Sequence, residues 1–424
     1  MTNNKKVNKF NSQIVPVDKG WAKNSINTTI FRHNSIISHG KYQYLSYYDK
    51  EGSVIVARRV LGEESWEIAR TQHKGNTLDA HNSISMGIDG TGIIHLSWDH
   101  HVNKLKYCRS IVPHSLEFSE QISMTHSKER MVTYPEFYNL SNGGLLFFYR
   151  HGRSGKGDLM VNRYDVKSKQ WSIIQQKLIF GQRERNPYWQ AVVDYQDVIH
   201  VSWCWRESPD VETNHDICYA KSVDVGESWM KSTGEKYKLP ITIENAEYVW
   251  RIPQKRELVN TTTMTADNQG NPYIVTYWRI SKDEIPQYHL IFHDGKEWRT
   301  LQISERKTSF SLRGGGTIRI PISRPKILID SNNCIYVLFR DEERNNRVSI
   351  AICKDIKKGR WDIHDLTKES YGFWEPSYDT QLWKKEEKLH VFLQNVGQGD
   401  AESLDDIPPQ TVSVLEWNPR NIFI

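Results

Sequence analysis

Histidine, tyrosine, arginine and tryptophan gather at two kinds of position in this chain. One set stands just ahead of short β-rich runs: His81-Asn82-Ser83, Tyr134-Pro135-Glu136, Tyr188-Trp189-Gln190, Asn260, Arg324-Pro325 and Trp374-Glu375. The other closes the run that follows each: Asp99-His100-His101, Arg150-His151, Trp205-Arg206-Glu207, Arg279 and Arg340-Asp341. An acidic sugar asks for such a set. Guanidinium binds a carboxylate bidentately, aromatic faces cover a pyranose, and His or Tyr exchanges protons near neutral pH. Substrate contacts are therefore expected from His100, Tyr188, Trp189, Trp205, Arg206, Arg279, Arg324 and Arg340. Any one of these, taken alone, serves equally well as a rim or inter-strand hydrogen-bonder. Asp99-His100-His101 has metal-ligand types, but adjacent strand residues face opposite ways, so no metal site is expected there.

The two sets converge only if the runs are arranged about a common centre, and a repeat supplies that arrangement. A turn, a β-rich run, a polar stop, a second run and an aromatic recur along the chain. Tyr44, His95, Leu146, His200, Tyr273, Tyr336 and His390 occupy matching places, at intervals of 51, 51, 54, 73, 63 and 54 residues. Each unit closes on an aromatic: Trp66, Phe118, Trp171, Trp229, Trp298, Trp361 and Trp417. Alternating polarity and frequent turn signals mark short antiparallel strands. Seven units of about fifty residues predict an all-β fold, a seven-bladed β-propeller of four-stranded antiparallel blades. It is read as one domain over 1–424, with residues 1–19 as an N-terminal extension.

In such a blade the start of the innermost strand and the end of the second share one face, here called anterior. Both sets above fall on it. Hairpins between those strands build the posterior face from ordinary turn residues, with one oddity, His39 in Ser38-His39-Gly40. His95, His200 and His390 lie mid-strand and are expected to be structural. The string Ser222-Val-Asp-Val-Gly-Glu-Ser-Trp229 is an intact Asp-box, a turn whose side chains bond its own amides. It is expected to be scaffold.

Composition narrows the classes. With 38% hydrophobic and 11% aromatic residues the chain is too apolar for disorder. Its net charge of +5 is evenly spread and makes no nucleic-acid surface. No apolar stretch is long enough for a membrane helix, and the N-terminal lysines precede no signal-peptide core. The five cysteines show no C-x-x-C spacing and read as buried small hydrophobes.

The strings GWAKNSINTTIFRHNSIISHGKYQY, GNTLDAHNSISMGIDGTGIIHLSWDHH, VTYPEFYNLSNGGLLFFYRHGRSG, NPYWQAVVD, HVSWCWRESPD and ISRPKILID together resemble the BNR-4 type propellers. The resemblance runs from about Gly20 to Gln398 and is strongest to seven-bladed enzymes acting on L-rhamnose α-1,4-linked to D-glucuronic acid, a cap of arabinogalactan side chains. It implies an acidic oligosaccharide or polysaccharide as partner, a periplasmic or secreted setting, a monomer, and no required cofactor. Propellers of this kind can hold a structural calcium ion in the central channel, although no ligand set is marked in the sequence. Two mechanisms are implied. In the hydrolase branch, an α-L-rhamnosidase, a single posterior histidine acts with the substrate's own uronate; His39 is the first expectation and His33, in FRHNS, the second. In the lyase branch the anterior face works by elimination, with His81 or His101 as base, Tyr134 as acid or orienting group, and Arg150 or Arg324 neutralising the carboxylate. The hydrolase is the first expectation, the lyase the alternative, and a non-catalytic glycan-binding propeller the third.

Overall fold

Seven sheets stand around one axis in the computed structural model, which describes residues 10, 12–260 and 263–423. Each matched position of the repeat falls in the second strand of its blade: Tyr42–Tyr48, Ile94–Trp98, Leu145–Arg153, Ile199–Arg206, Pro272–Trp278, Ile335–Phe339 and Leu389–Gln394. These strands are almost wholly buried, as their continuous apolar runs require when a blade is covered on both faces. Three blades show why the period is so regular. The hairpin aspartates Asp194, Asp267 and Asp330 each accept from amides two and four residues on. Their second oxygen then meets the residue six positions on, His200, Tyr273 or Tyr336. Asp89 and His95 repeat the arrangement. These histidines are therefore structural, as their mid-strand positions predict.

The ring closes through its ends. Gln13–Gly20 pairs antiparallel with Gln410–Trp417 and forms the outer strand of the seventh blade. The expected N-terminal extension over 1–19 is thus shortened: from Gln13 on it is part of the propeller, while residues 1–9 and 11 lie outside the described residues. The Asp-box has the local geometry its residues dictate. Asp224 Oδ1 accepts from Ser222 Oγ and the Ser228 amide, both at 2.8 Å, Gly226 takes φ +93°, and Trp229 is buried between blades. Asp224 is exposed, so replacing it with alanine hands these donors to water and is expected to cost about 0.5–1.5 kcal/mol in urea denaturation, with turnover unchanged. All five cysteines are buried and unpaired.

Candidate active site

A β-bulge does the most to shape the anterior mouth. The third blade's inner strand, Val132–Asn139, pairs with Leu145–Arg153, but its register shifts between Thr133 and Glu136. Tyr134 sits in that irregularity at φ +55°, a left-handed backbone that a bulky aromatic adopts only under constraint. The bulge aims Tyr134 into an anterior cavity of about 260 Å³ and sends Glu136, two residues on, to a separate cavity on the axis. A short strand, His101–Asn103, leaves the second blade to pair with the third at Thr133, which sets His101 beside the same tyrosine.

The anterior cavity is lined by Phe31, His81, His101, Tyr134, Arg150, Tyr188, Arg206, Asn260 and Arg324, with the Gly315–Ile318 segment. His81 and His101 stack with ring centroids 4.2 Å apart. Both turn Nδ1 toward one carboxylate, Asp79, at 2.8 and 2.6 Å. Glu402, from a distant loop, adds a second oxygen 3.1 Å from His81 Nδ1. Burial opposes charge on His81, but these two carboxylates outweigh it and lift the imidazole to about 9. It is a cation at neutral pH.

The arginines divide into two kinds. Arg324 is already matched, Nε and Nη2 gripping Glu375 at 2.8 and 2.5 Å. Arg150 and Arg206 are buried yet have no carboxylate partner among the described residues. Arg150 donates to Thr133 Oγ1 at 3.1 Å and its Nε is unpartnered; Arg206 donates to the Ser208 and Pro209 carbonyls and to Asn260. Their guanidiniums lie 5.0 and 5.3 Å from the ring centres of Tyr134 and Tyr188. Burial works against ionisation of the Tyr188 phenol, but Arg206 and Arg150 outweigh it and bring it down to about 8. Tyr134 goes the other way, held protonated by burial and by Tyr188.

Several expected contacts do not reach this cavity, and strand geometry explains each. Trp189 and Trp205 belong to the fourth blade's first two strands. Trp205 is wholly buried 6.0 Å from Trp203, and Trp189 lines the axial cavity, donating to Glu136 at 3.3 Å. His100, between two site residues, turns inward to Asn103 and Lys106, and burial pushes it down to about 4. Arg279 pairs with Glu257 at 2.8 Å. Arg340 is fully buried and donates to the carbonyls of Trp374, Pro321 and Ile320.

The two posterior candidates separate as well. His39 sits on the seam between the first and second blades, 5.2 Å from the His114 ring, with Nδ1 unpartnered. It lines neither cavity, and burial, then His114, lowers it. His33 instead enters the axial cavity, against Tyr138 at 4.4 Å and in the company of Glu136 and Lys326. This cavity reaches the posterior residues Asp194, Tyr195 and Lys384. His33 thus shares a cavity with posterior residues although it precedes its strand, because Ile30 to Asn34 all line that cavity. Burial raises Glu136 to about 7 and lowers Lys326 to about 8. A calcium ion needs six to eight oxygen ligands, and a buried carboxylate opposed by Lys326 is a poor start on such a set.

The sequence alone does not single out Asp79, Glu402 or Phe31 as parts of this site. Asp79 precedes His81 by two residues, a D-x-H spacing that is a local signal, but nothing local marks Glu402 or Phe31 as neighbours of that histidine.

The profile described as BNR repeat-containing family member matches residues 42–306. No curated protein matches the chain. Among solved structures, the polysaccharide lyase Uly1 is similar at 16% identity and TM-score 0.69, over 97% of this chain and 98% of its own. An ulvan lyase of polysaccharide lyase family 25, bound to -[GlcA(1-4)Rha3S]-, is similar at 15% identity and TM-score 0.70, over 96% of both chains. At such identities the likeness is one of fold. No helix among the described residues is long and apolar enough to cross a membrane.

Proposed function

The chain belongs to the BNR repeat-containing family, and from that premise we propose that it is a secreted polysaccharide lyase cleaving a uronate-containing glycan by β-elimination in the anterior cavity. One observation carries this reading: Arg150 and Arg206 are buried cations without a carboxylate partner among the described residues, beside two histidines and two tyrosines. A buried, unmatched charge is costly, and a uronate carboxylate would match it.

Elimination needs three things, and the cavity offers each. Arg150, Arg206 and the His81 cation draw charge from the carboxylate, which acidifies the α proton at C5. His101 takes that proton: Asp79 holds its Nδ1, leaving Nε2 free to accept. Tyr134, kept protonated, donates to the oxygen leaving C4. The glycan bound by the similar ulvan lyase, -[GlcA(1-4)Rha3S]-, makes a rhamnose–glucuronate linkage the first substrate to try.

A split assay on such an oligosaccharide tests the reading. Cleavage with the ultraviolet absorbance of an unsaturated uronate is expected; release of rhamnose with an intact glucuronate and no absorbance would replace elimination by hydrolysis. His33, in a cavity with Glu136, is the residue to which a hydrolase would then be traced. His39→Ala is expected to keep activity within about twofold, since its ring faces a blade seam; His101→Ala is expected to lose at least about 100-fold.

A further inference from the structure

The histidine corner of the anterior cavity has a second chemistry. Asp79, His81 and His101 hold their ligand atoms within 4.8 Å of one another. Glu402 Oε1 adds a further oxygen 3.1 Å from His81 Nδ1. We propose that these four residues form a binding site for a zinc-like transition-metal dication, which switches the enzyme off when it binds.

Two imidazoles with two carboxylates are a donor set that suits zinc. Both rings already turn the same atom, Nδ1, toward the same carboxylate, so a metal there replaces protons and leaves the rings in place. At bond lengths of 2.0–2.1 Å, tetrahedral ligands stand about 3.3 Å apart. The present nitrogen–oxygen contacts of 2.6–3.1 Å have to open by about 0.2–0.7 Å, and the wider separations within the cluster, bounded by 4.8 Å, have to close, which side-chain rotation can supply. Charge balances too: with both rings neutral, Asp79 and Glu402 carry two negative charges against a dication. The ligands are themselves held. Glu402 accepts from the Ala80 and Thr317 amides at 2.9 and 2.6 Å, and Asp79 from the His81 amide at 2.9 Å. His101, the most exposed of the four, leaves an entry path from the cavity.

The switching follows from the tautomer. A neutral imidazole carries one proton, so metal on Nδ1 of His101 puts that proton on Nε2. The atom that accepts the substrate's proton then becomes a donor. This consequence rests on the lyase reading; the binding does not.

Metal content after equilibrium dialysis of the full chain against zinc chloride at pH 7.5 tests the site directly. One ion per chain, removed by EDTA, is expected, and Co²⁺ in its place should show tetrahedral visible bands. Asp79→Asn and His101→Gln, checked for native circular dichroism, are expected to weaken zinc at least tenfold, Glu402→Gln to weaken it in the same sense, and His39→Ala to leave it unchanged. No bound zinc, or undiminished affinity in both Asp79→Asn and His101→Gln, would overturn the proposal. With an active substrate, zinc should abolish elimination and EDTA restore it. Stoichiometric zinc in a protein that shows no lyase activity even after EDTA has removed the metal would leave the site standing and remove the lyase reading.

Discussion

Replacing Tyr134 with phenylalanine is expected to lower kcat by roughly 10²–10⁴-fold while leaving the fold and KM nearly untouched. The substitution removes one hydroxyl. The ring keeps its contacts with Phe31 at 5.0 Å, His81 at 5.9 Å and Tyr188 at 6.0 Å, and phenylalanine meets the same backbone demand at φ +55°. Only the proton for the departing sugar oxygen is lost. If kcat survives while KM rises, the hydroxyl orients substrate and the acid lies elsewhere. The same cavity predicts a pH dependence. His81 is raised from its ordinary 6.5 to about 9, so its contact with Asp79 and Glu402 stabilises the fold fully below pH 6.5. That contribution is lost as the pH climbs through about 9. Over the same window a cation facing the carboxylate disappears, and KM should climb with it.

Arg340→Ala is expected to destabilise the protein by about 3–5 kcal/mol, read in urea or by thermal unfolding, with KM unchanged in the molecules that remain folded at low temperature. The guanidinium is completely buried. It donates to the carbonyls of Trp374, Ile320 and Pro321 at 3.0–3.1 Å and to Asn346 at 3.0 Å, so truncation leaves several buried acceptors without donors. Lysine cannot reproduce that planar fork, and Arg340→Lys should recover only part of the loss. A sugar-binding arginine would behave in the opposite way, with KM raised and stability intact.

This contrast between two arginines shows where the sequence is readable. The period of about fifty residues, the blade-closing aromatics and the Asp-box are local patterns repeated many times, so they place all seven blades. Anterior position is likewise legible from strand ends, and it brings His81, His101, Tyr134, Arg150, Tyr188, Arg206 and Arg324 to one cavity. What a strand end does not disclose is direction. His100 and His101 are adjacent, yet one is sealed in the blade and the other faces the mouth. Arg206 and Arg340 both close second strands, but one meets backbone around an open cavity and the other is enclosed. The bulge at Tyr134 shifts the two-residue alternation, and only backbone geometry reveals it. Glu402 reaches His81 across more than three hundred residues, a contact made by ring closure and by no local motif.

Phe31 lines both the anterior and the axial cavity. Its ring, braced against Tyr134 and His81, stands where the two cavities adjoin. On the lyase reading, a glycan would lie across the anterior rim, dip one residue into the anterior cavity and leave by the way it came.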